Sequence, residues 1–439
     1  MWFWTSAAAV AAKMDSMRIA EERLLSFAKR FGGRHTDHYE MRAFDTPIPR
    51  EVVPLKSHGY DVHENVENND YLIHGVHVEN VETNAPKTTH PTPLVLLHGY
   101  MNGSAYFFRN LVGLSSYFNS IYSLDMLGWG LSSRPNFQLT DNSVETAEDF
   151  FVESLEAWRV KNDIPKMILA GHSIGGYLSV AYCERYPQNV ERLILLSPAG
   201  VTEESPEAKQ RREARLASST QTRMFGSLYT SLFDNDHTVG GILRMLPAGR
   251  SQGMIQQYIE RRLPAIDCPD EQKAVADYLY LNAALPGSGE YCLNRLLTPF
   301  AHGRKPTRHR VPNLKIPHVS FLYGSNDWMD PAGGLQVQLA TEDMKSRGEQ
   351  APDVNVYQVS KAGHLLMLEN WEEFNAGVVM SAGGRGSLAI HAPLPTKLDP
   401  NKAEDHKSSF AGFEGESAKM RERRNSRNEE ATVPVAPAS

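Results

Sequence analysis

Gly171-His172-Ser173-Ile174-Gly175 follows a short apolar run directly and leads into a helix-like stretch. A Gly-x-Ser-x-Gly segment between a strand and a helix forms a nucleophile elbow, a sharp turn that lifts the serine hydroxyl clear of the backbone for attack on a carbonyl. Gly171 and Gly175 suit that turn because a Cβ at either position would clash across it, and Gly176 leaves room beside the helix. With Gly and Ser usage near ~7% each, about 0.15 such patterns arise by chance in a chain of 439 residues. The strand and helix on either side therefore carry most of the discrimination against a purely structural Gly-rich turn.

Partners for Ser173 occur in the chain order that this arrangement requires, with an acid next and then a histidine. Asp327 follows the apolar run Val319 to Tyr323, where a carboxylate can orient an imidazole, and Asp330 is its rival. His364 follows the run ending near Val359, so its loop is expected on the same sheet edge as Ser173, placed to act as general base. Few of the 16 histidines follow a late strand in this way, and His172, inside the elbow, reads as structural. His98-Gly99 after another strand marks an oxyanion loop, with the backbone N–H groups of Tyr100 and Ile174 as the expected donors. Asn102-Gly103-Ser104 matches a glycosylation acceptor but reads as turn chemistry. The sequence contains no zinc-protease, phosphate-loop or dinucleotide motif, so neither a metal nor a cofactor is expected.

These residues need a parallel sheet to bring them together. Leu94 to Leu97, Ile121 to Leu124, Met167 to Ala170, Leu193 to Leu196, Val319 to Tyr323 and Val354 to Val359 are short, nearly continuous apolar runs that alternate with helical stretches. Strands buried on both faces read this way, and the alternation predicts an α/β fold with a mostly parallel central sheet. Residues 201 to 315 break the spacing and read as an inserted helical cap between two core segments, 38 to 200 and 316 to 380. Residues 1 to 37 form an N-terminal segment with Trp2, Phe3 and Trp4, followed by Met17, Ala20, Leu24, Phe27, Ala28 and Phe31 at helical spacing. Such a helix suits either ordinary packing or a membrane interface. From 381 to 439 the composition turns to Gly, Ser, Pro and mixed charge, which predicts a disordered tail.

A net charge of −7 argues against a nucleic-acid coating protein. Three cysteines without CxxC spacing fit a reducing, intracellular compartment. No apolar stretch is long enough to span a bilayer.

Three stretches carry a resemblance to a known family: Leu96-Leu-His-Gly-Tyr100, Asp125-Met-Leu-Gly-Trp-Gly-Leu-Ser-Ser-Arg-Pro135, and Phe151-Val-Glu-Ser-Leu-Glu-Ala-Trp-Arg159 leading into the elbow. They resemble the α/β-hydrolase-domain proteins of phospholipid metabolism. That group contains N-acylphosphatidylethanolamine lipase, the lipid-droplet triglyceride-lipase coactivator, plant lysophosphatidate acyltransferase and the fungal cardiolipin deacylase. The resemblance covers roughly residues 70 to 200 and 300 to 376 and implies an α/β-hydrolase fold with a helical cap. In the coactivator branch Asn replaces the nucleophile, whereas this chain keeps Ser173. Acyltransfer relatives often carry His-x-x-x-x-Asp, and here His364 is followed by Glu369 instead. Relatives place the acid at the position of Asp327, of Asp330 or of both.

The expected activity is hydrolysis of fatty-acyl esters of phospholipids or lysophospholipids by Ser173, His364 and Asp327. The alternatives are a lipid-surface lipase coactivator with a lipase partner, and an acyl-CoA-dependent lysophospholipid acyltransferase. Arg304, Lys305, Arg308 and Arg310 form a basic cluster that is either a solvated surface or a contact for anionic head groups. Peripheral attachment to a membrane or lipid droplet is expected through Trp2, Phe3 and Trp4, and a short mitochondrial targeting segment stays open.

Overall fold

The apolar runs become the strands of one sheet. The computed structural model describes residues 7–32, 38–57, 70–81, 90–204, 206, 210, 238–384 and 393–402. In chain order the strands are β1 (Tyr39–Ile48), β2 (Tyr71–Asn80), β3 (Leu94–Leu97), β4 (Ser120–Leu124), β5 (Met167–His172), β6 (Val190–Leu196), β7 (Leu297–Thr298), β8 (His302–Gly303), β9 (His318–Gly324), β10 (Asp353–Val359) and β11 (Thr396–Lys397). The numbered helices are α1 (Ala7–Leu25), α2 (Phe108–Leu114), α3 (Val144–Lys161), α4 (Ile174–Arg185), α5 (Val239–Met245), α6 (Ala248–Arg262), α7 (Pro269–Ala284), α8 (Ala332–Ser346) and α9 (Trp371–Ser381). Among the described residues the main sheet has nine strands in the order β1-β2-β4-β3-β5-β6-β9-β10-β11, and β7 and β8 form a separate hairpin.

Strands β4, β3, β5, β6, β9 and β10 run parallel, and β1, β2 and β11 pair antiparallel at the edges. Every residue of β3 and of β5 is buried, as expected for strands covered by helices on both faces. Register then sets which loops meet. Leu97 lies opposite Gly171, His172 opposite Leu196, Leu196 opposite Leu322, and Val359 opposite Gly324. The carboxyl ends of five strands thus line one edge, where open α/β sheets bind ligands.

At the C-terminal end one segment differs from the sequence-based expectation, and at the N-terminal end the structure favours one of two open readings. Residues 393–402 were expected to belong to a disordered tail, but β11 pairs Thr396 with Gln358 and Lys397 with Tyr357 on the open edge of β10. Leu398 is buried there, and its N–H donates to the Val356 carbonyl at 2.9 Å, so one apolar residue and one free strand edge hold the chain down. Residues 403–439 lie outside the described residues, as do Trp2, Phe3 and Trp4. Helix α1 packs against α7, with Val10, Met14, Met17, Ala20 and Leu24 buried. Its apolar face is therefore part of the core, which removes it from the surface available to a membrane interface.

A buried charge network fixes α1 to the sheet. Glu21 on α1 is 2% exposed, and its Oε1 lies 2.9 Å from Nε2 of His74 on β2. The other ring nitrogen, Nδ1, lies 2.7 Å from Asp45 Oδ1, and Arg18 also approaches Asp45 at 3.5 Å. Burial opposes a charge on His74, but Glu21, Asp45 and the nearby Asp125 overcome it and push the imidazole up to about 10. Because the folded value exceeds the ordinary 6.5, the stabilisation is complete below that pH and is lost as pH rises through about 10. His74→Ala leaves Glu21 buried without its partner and should cost about 3–5 kcal/mol in urea unfolding at pH 6. The gap to the wild type should narrow towards pH 10. An equal gap at both pH values would show that His74 contributes by packing rather than by charge.

Candidate active site

The tightest turn in the site is at Ser173, which follows β5 with φ 55° and ψ −118°, a region of backbone space unfavourable for L-residues. The turn is held from both sides, since Ser173 N donates to the Leu196 carbonyl and Ala199 N donates to the Ser173 carbonyl, each at 3.0 Å. Glycine is required where chains cross: a Cβ on Gly171 would come within 2.4 Å of the Gly175 carbonyl oxygen, and one on Gly175 within 2.5 Å of the His98 carbonyl oxygen. Ser173 is buried, with 8% of the residue exposed.

Ser173 and His364 are 191 residues apart in the chain, yet His364 Nε2 lies 3.1 Å from Ser173 Oγ. On the far side of the ring, His364 Nδ1 lies 3.3 Å from Asp327 Oδ1. Asp327 is buried and also accepts from the Met329 N–H at 3.0 Å. Burial opposes its charge, but His364 and the hydrogen bonds from Met329 and Ser197 hold its carboxyl below the ordinary value of 3.8. Asp330 is exposed and uses its Oδ1 to accept from the Ala332 N–H at 2.9 Å at the start of α8. The structure therefore separates the two rival acids: Asp327 reaches the imidazole, and Asp330 serves as a turn residue.

Several neighbours hold the histidine loop. His172 Nε2 donates to the His364 carbonyl at 2.9 Å. Burial and the adjacent His364 push His172 down to about 3, so it is neutral and structural, as its place in the elbow suggested. Glu369 accepts from Gly363 N at 3.0 Å and Leu365 N at 3.2 Å, clamping the backbone on either side of His364. Burial raises the Glu369 carboxyl, while those two amides and Arg262 pull it the other way. Arg109 on α2 donates to the Leu368 carbonyl at 2.9 Å and to Glu271 of α7 at 2.7 Å, tying the same loop to the cap. The Trp328 ring sits with its centroid 5.0 Å from that of His364.

The loop after β3 lies directly over the elbow. A Cβ on Gly99 would fall 2.6 Å from His172 Nδ1 and 3.1 Å from Ser173 Cβ, so only glycine lets the backbone leading into Tyr100 approach the nucleophile. His98 is buried and pushed down to about 4, with burial the main cause. As a neutral ring it donates from Nδ1 to the Gly99 carbonyl at 2.7 Å and accepts at Nε2 from Met126 N at 3.1 Å. Ile174 begins α4, where backbone N–H groups have no intrahelical acceptor.

Two features depart from the sequence analysis. The basic cluster is taken up by acidic partners: Arg310 binds Glu148 at 2.7 Å and also Glu184, Arg308 binds Glu203, Lys305 meets Glu145 at 3.1 Å, and Arg304 donates to the Asn294 and Leu297 carbonyls. The acidic partners come from helices and turns distant in sequence; Arg310 is buried by its pairs, whereas Arg304 stays exposed and meets only backbone carbonyls. Ser197 touches both Asp327 and His364 and was not anticipated. Its only sequence signal is its place, immediately after the apolar run Leu193 to Leu196 on the same sheet edge.

Glu21, His74 and Asp125 bring donor atoms within 4.8 Å of one another. However, both His74 nitrogens face carboxylates, and the two Asp125 oxygens accept from Ser104 N and Leu131 N. That arrangement suits an imidazolium rather than a metal ligand, which needs a free ring lone pair.

Residues 92–370 match the model of the alpha/beta hydrolase fold, and the chain belongs to the α/β-hydrolase family. Among its relatives, a probable 1-acylglycerol-3-phosphate O-acyltransferase of Oryza sativa subsp. japonica is 33% identical over 303 residues, covering 68% of this chain and 67% of the relative. The (lyso)-N-acylphosphatidylethanolamine lipase of Bos taurus is 31% identical over 306 residues, covering 67% of this chain and 80% of the relative. These are members of the phospholipid-metabolism group that the motifs resemble. The chain spans about two thirds of the length of its plant relatives. Among solved structures, the 2-hydroxy-6-oxo-6-phenylhexa-2,4-dienoate hydrolase of Rhodococcus sp. strain RHA1 aligns with a TM-score of 0.50 at 14% identity, over 79% of this chain and all of that one. At that identity the likeness extends to the fold alone.

Proposed function

We propose that this chain is a serine hydrolase that cleaves fatty-acyl esters of glycerophospholipids or lysophospholipids through an acyl-enzyme. The observation that carries the reading is the 3.1 Å approach of His364 Nε2 to Ser173 Oγ, with Asp327 behind the ring. His364 takes the Ser173 proton as Oγ attacks the acyl carbonyl, and the imidazolium returns that proton to the departing glycerol oxygen. Water then attacks the ester on Ser173, again through His364, and releases the fatty acid. The N–H groups of Tyr100 and Ile174 receive the negative oxygen of each tetrahedral intermediate. Asp327 keeps the imidazole in the tautomer with its proton on Nδ1 and stabilises its charged form.

The lipid substrate class rests on the names of the relatives, one an acyltransferase of a lysophospholipid and one a phospholipid lipase. A water-insoluble substrate requires an interface, and no described helix is long and apolar enough to cross a membrane. Attachment to a membrane or lipid-droplet surface through Trp2, Phe3 and Trp4 is part of the proposal. Acyl-CoA-dependent transfer is the second reading, favoured by the plant relative's name. Purified protein incubated with a mixed lipid extract, with and without acyl-CoA, separates the readings. Hydrolysis predicts free fatty acid and lysolipid without acyl-CoA. New diacyl lipid formed only with acyl-CoA would establish transfer, and an unchanged extract would leave the scaffold role, with its lipase partner, in place.

A further inference from the structure

The reaction described above makes no use of Ser197, although Ser197 stands between the acid and the base. It follows β6, is fully buried, and has φ 47°, the left-handed region that a non-glycine residue seldom occupies. Its N–H donates to the Leu322 carbonyl at 2.7 Å, which holds the residue against the end of β9. The hydroxyl donates to Asp327 Oδ2 and lies 3.0 Å from His364 Nδ1. The direct approach of Nδ1 to Asp327 Oδ1 is longer, at 3.3 Å.

A serine hydroxyl has one proton and two acceptor lone pairs. With its proton on the carboxylate, Ser197 presents a lone pair to Nδ1–H. We propose that Ser197 is a positioning residue of the relay, accepting from His364 Nδ1–H while donating to Asp327. The carboxylate charge then acts on the imidazole both directly and through the polarised hydroxyl. Only one proton moves in the chemical step, from Ser173 Oγ to His364 Nε2; the Nδ1 and Ser197 protons stay where they are. The inference rests on the proposed Ser173–His364–Asp327 reading and adds a fourth group to it.

The positive φ supplies a clean test, because glycine adopts that conformation without strain. Ser197→Gly removes the hydroxyl and should keep the melting temperature close to the wild type, the relieved φ offsetting the hydrogen bond lost to Asp327. Its kcat on a soluble short-chain ester should fall about 10- to 100-fold, the scale of one hydrogen bond to a charged group, with KM nearly unchanged. The acidic limb of kcat/KM should move to lower pH, because the imidazolium loses an acceptor. Ser197→Ala should show the same kinetic change with some loss of stability from the strained φ.

A second readout needs no turnover: the His364 imidazole, titrated by NMR, should have a lower pKa in Ser173→Ala/Ser197→Gly than in Ser173→Ala. If the wild type hydrolysed no ester but this difference appeared, the acyl-enzyme reading would fail while the Ser197 contact stood. An unchanged titration in an active enzyme would overturn the Ser197 role and leave the triad intact. An activity loss seen only in variants that also melt early would likewise overturn it.

Discussion

Ser173→Ala should lower ester hydrolysis by about a million-fold and abolish labelling by a fluorophosphonate probe. The size follows from what the side chain is asked to do, since removing the nucleophile leaves only substrate binding and the oxyanion donors to act on attacking water. Folding should not suffer, because among the described residues the Ser173 hydroxyl meets His364 alone, and the elbow is held by backbone hydrogen bonds. Equal melting temperatures with lost activity would tie the loss to chemistry. Undiminished hydrolysis by Ser173→Ala would exclude an acyl-enzyme on Ser173.

Asp327→Asn carries the second-largest expected effect, about ten-thousand-fold in kcat. An amide at this position would present its NH2 to His364 Nδ1 and favour the tautomer that cannot accept the Ser173 proton. The same change at Asp330 should cost less than about tenfold, because that exposed carboxylate only caps the turn into α8. A comparison of kcat for the two variants on a soluble ester checks the assignment, and a larger loss at Asp330 would reverse it. The acid also predicts a feature of the pH profile. Since the Asp327 carboxyl is held below its ordinary value, it stays charged at neutral pH. Its stabilising contribution is complete above 3.8 and is lost as pH falls through the lower folded value.

Specific buried polar ties hold the cap to the core. Asn282 of α7 donates to the Met101 and Asn102 carbonyls in the loop after β3, and its Oδ1 accepts from Gly130 N at 3.1 Å and from Arg134. Arg134 is buried, and burial pulls its guanidinium down to about 10 even with Glu290 and Asp125 nearby. These contacts attach the cap to the Asp125–Pro135 motif, so that stretch joins cap to core as well as marking the family.

The amino-acid sequence alone determined the features whose causes are local. The elbow was legible because its glycines answer to backbone crossings within a few residues, and the parallel strands were legible because burial on both faces demands continuous apolar runs. The order of Ser173, acid and His364 followed from strand order, since each stands just beyond an apolar run. Tertiary structure decided what depends on partners far along the chain. Asp327 and Asp330 are three positions apart, and only the path of the turn after β9 sends one to the imidazole and the other to solvent. Of the basic cluster only Arg310 became internal, because Glu148 and Glu184 pack beside it, while Arg304 stays exposed and Lys305 and Arg308 pair with Glu145 and Glu203 nearer the surface. Helix α1 was pulled into the core by contact with α7 and by Glu21 meeting His74, a pair separated by 53 residues. Ser197 was invisible for the same reason: a serine in a turn is ordinary, and its value arises only when sheet register places β6 between the strand ends that carry Ser173 and Asp327.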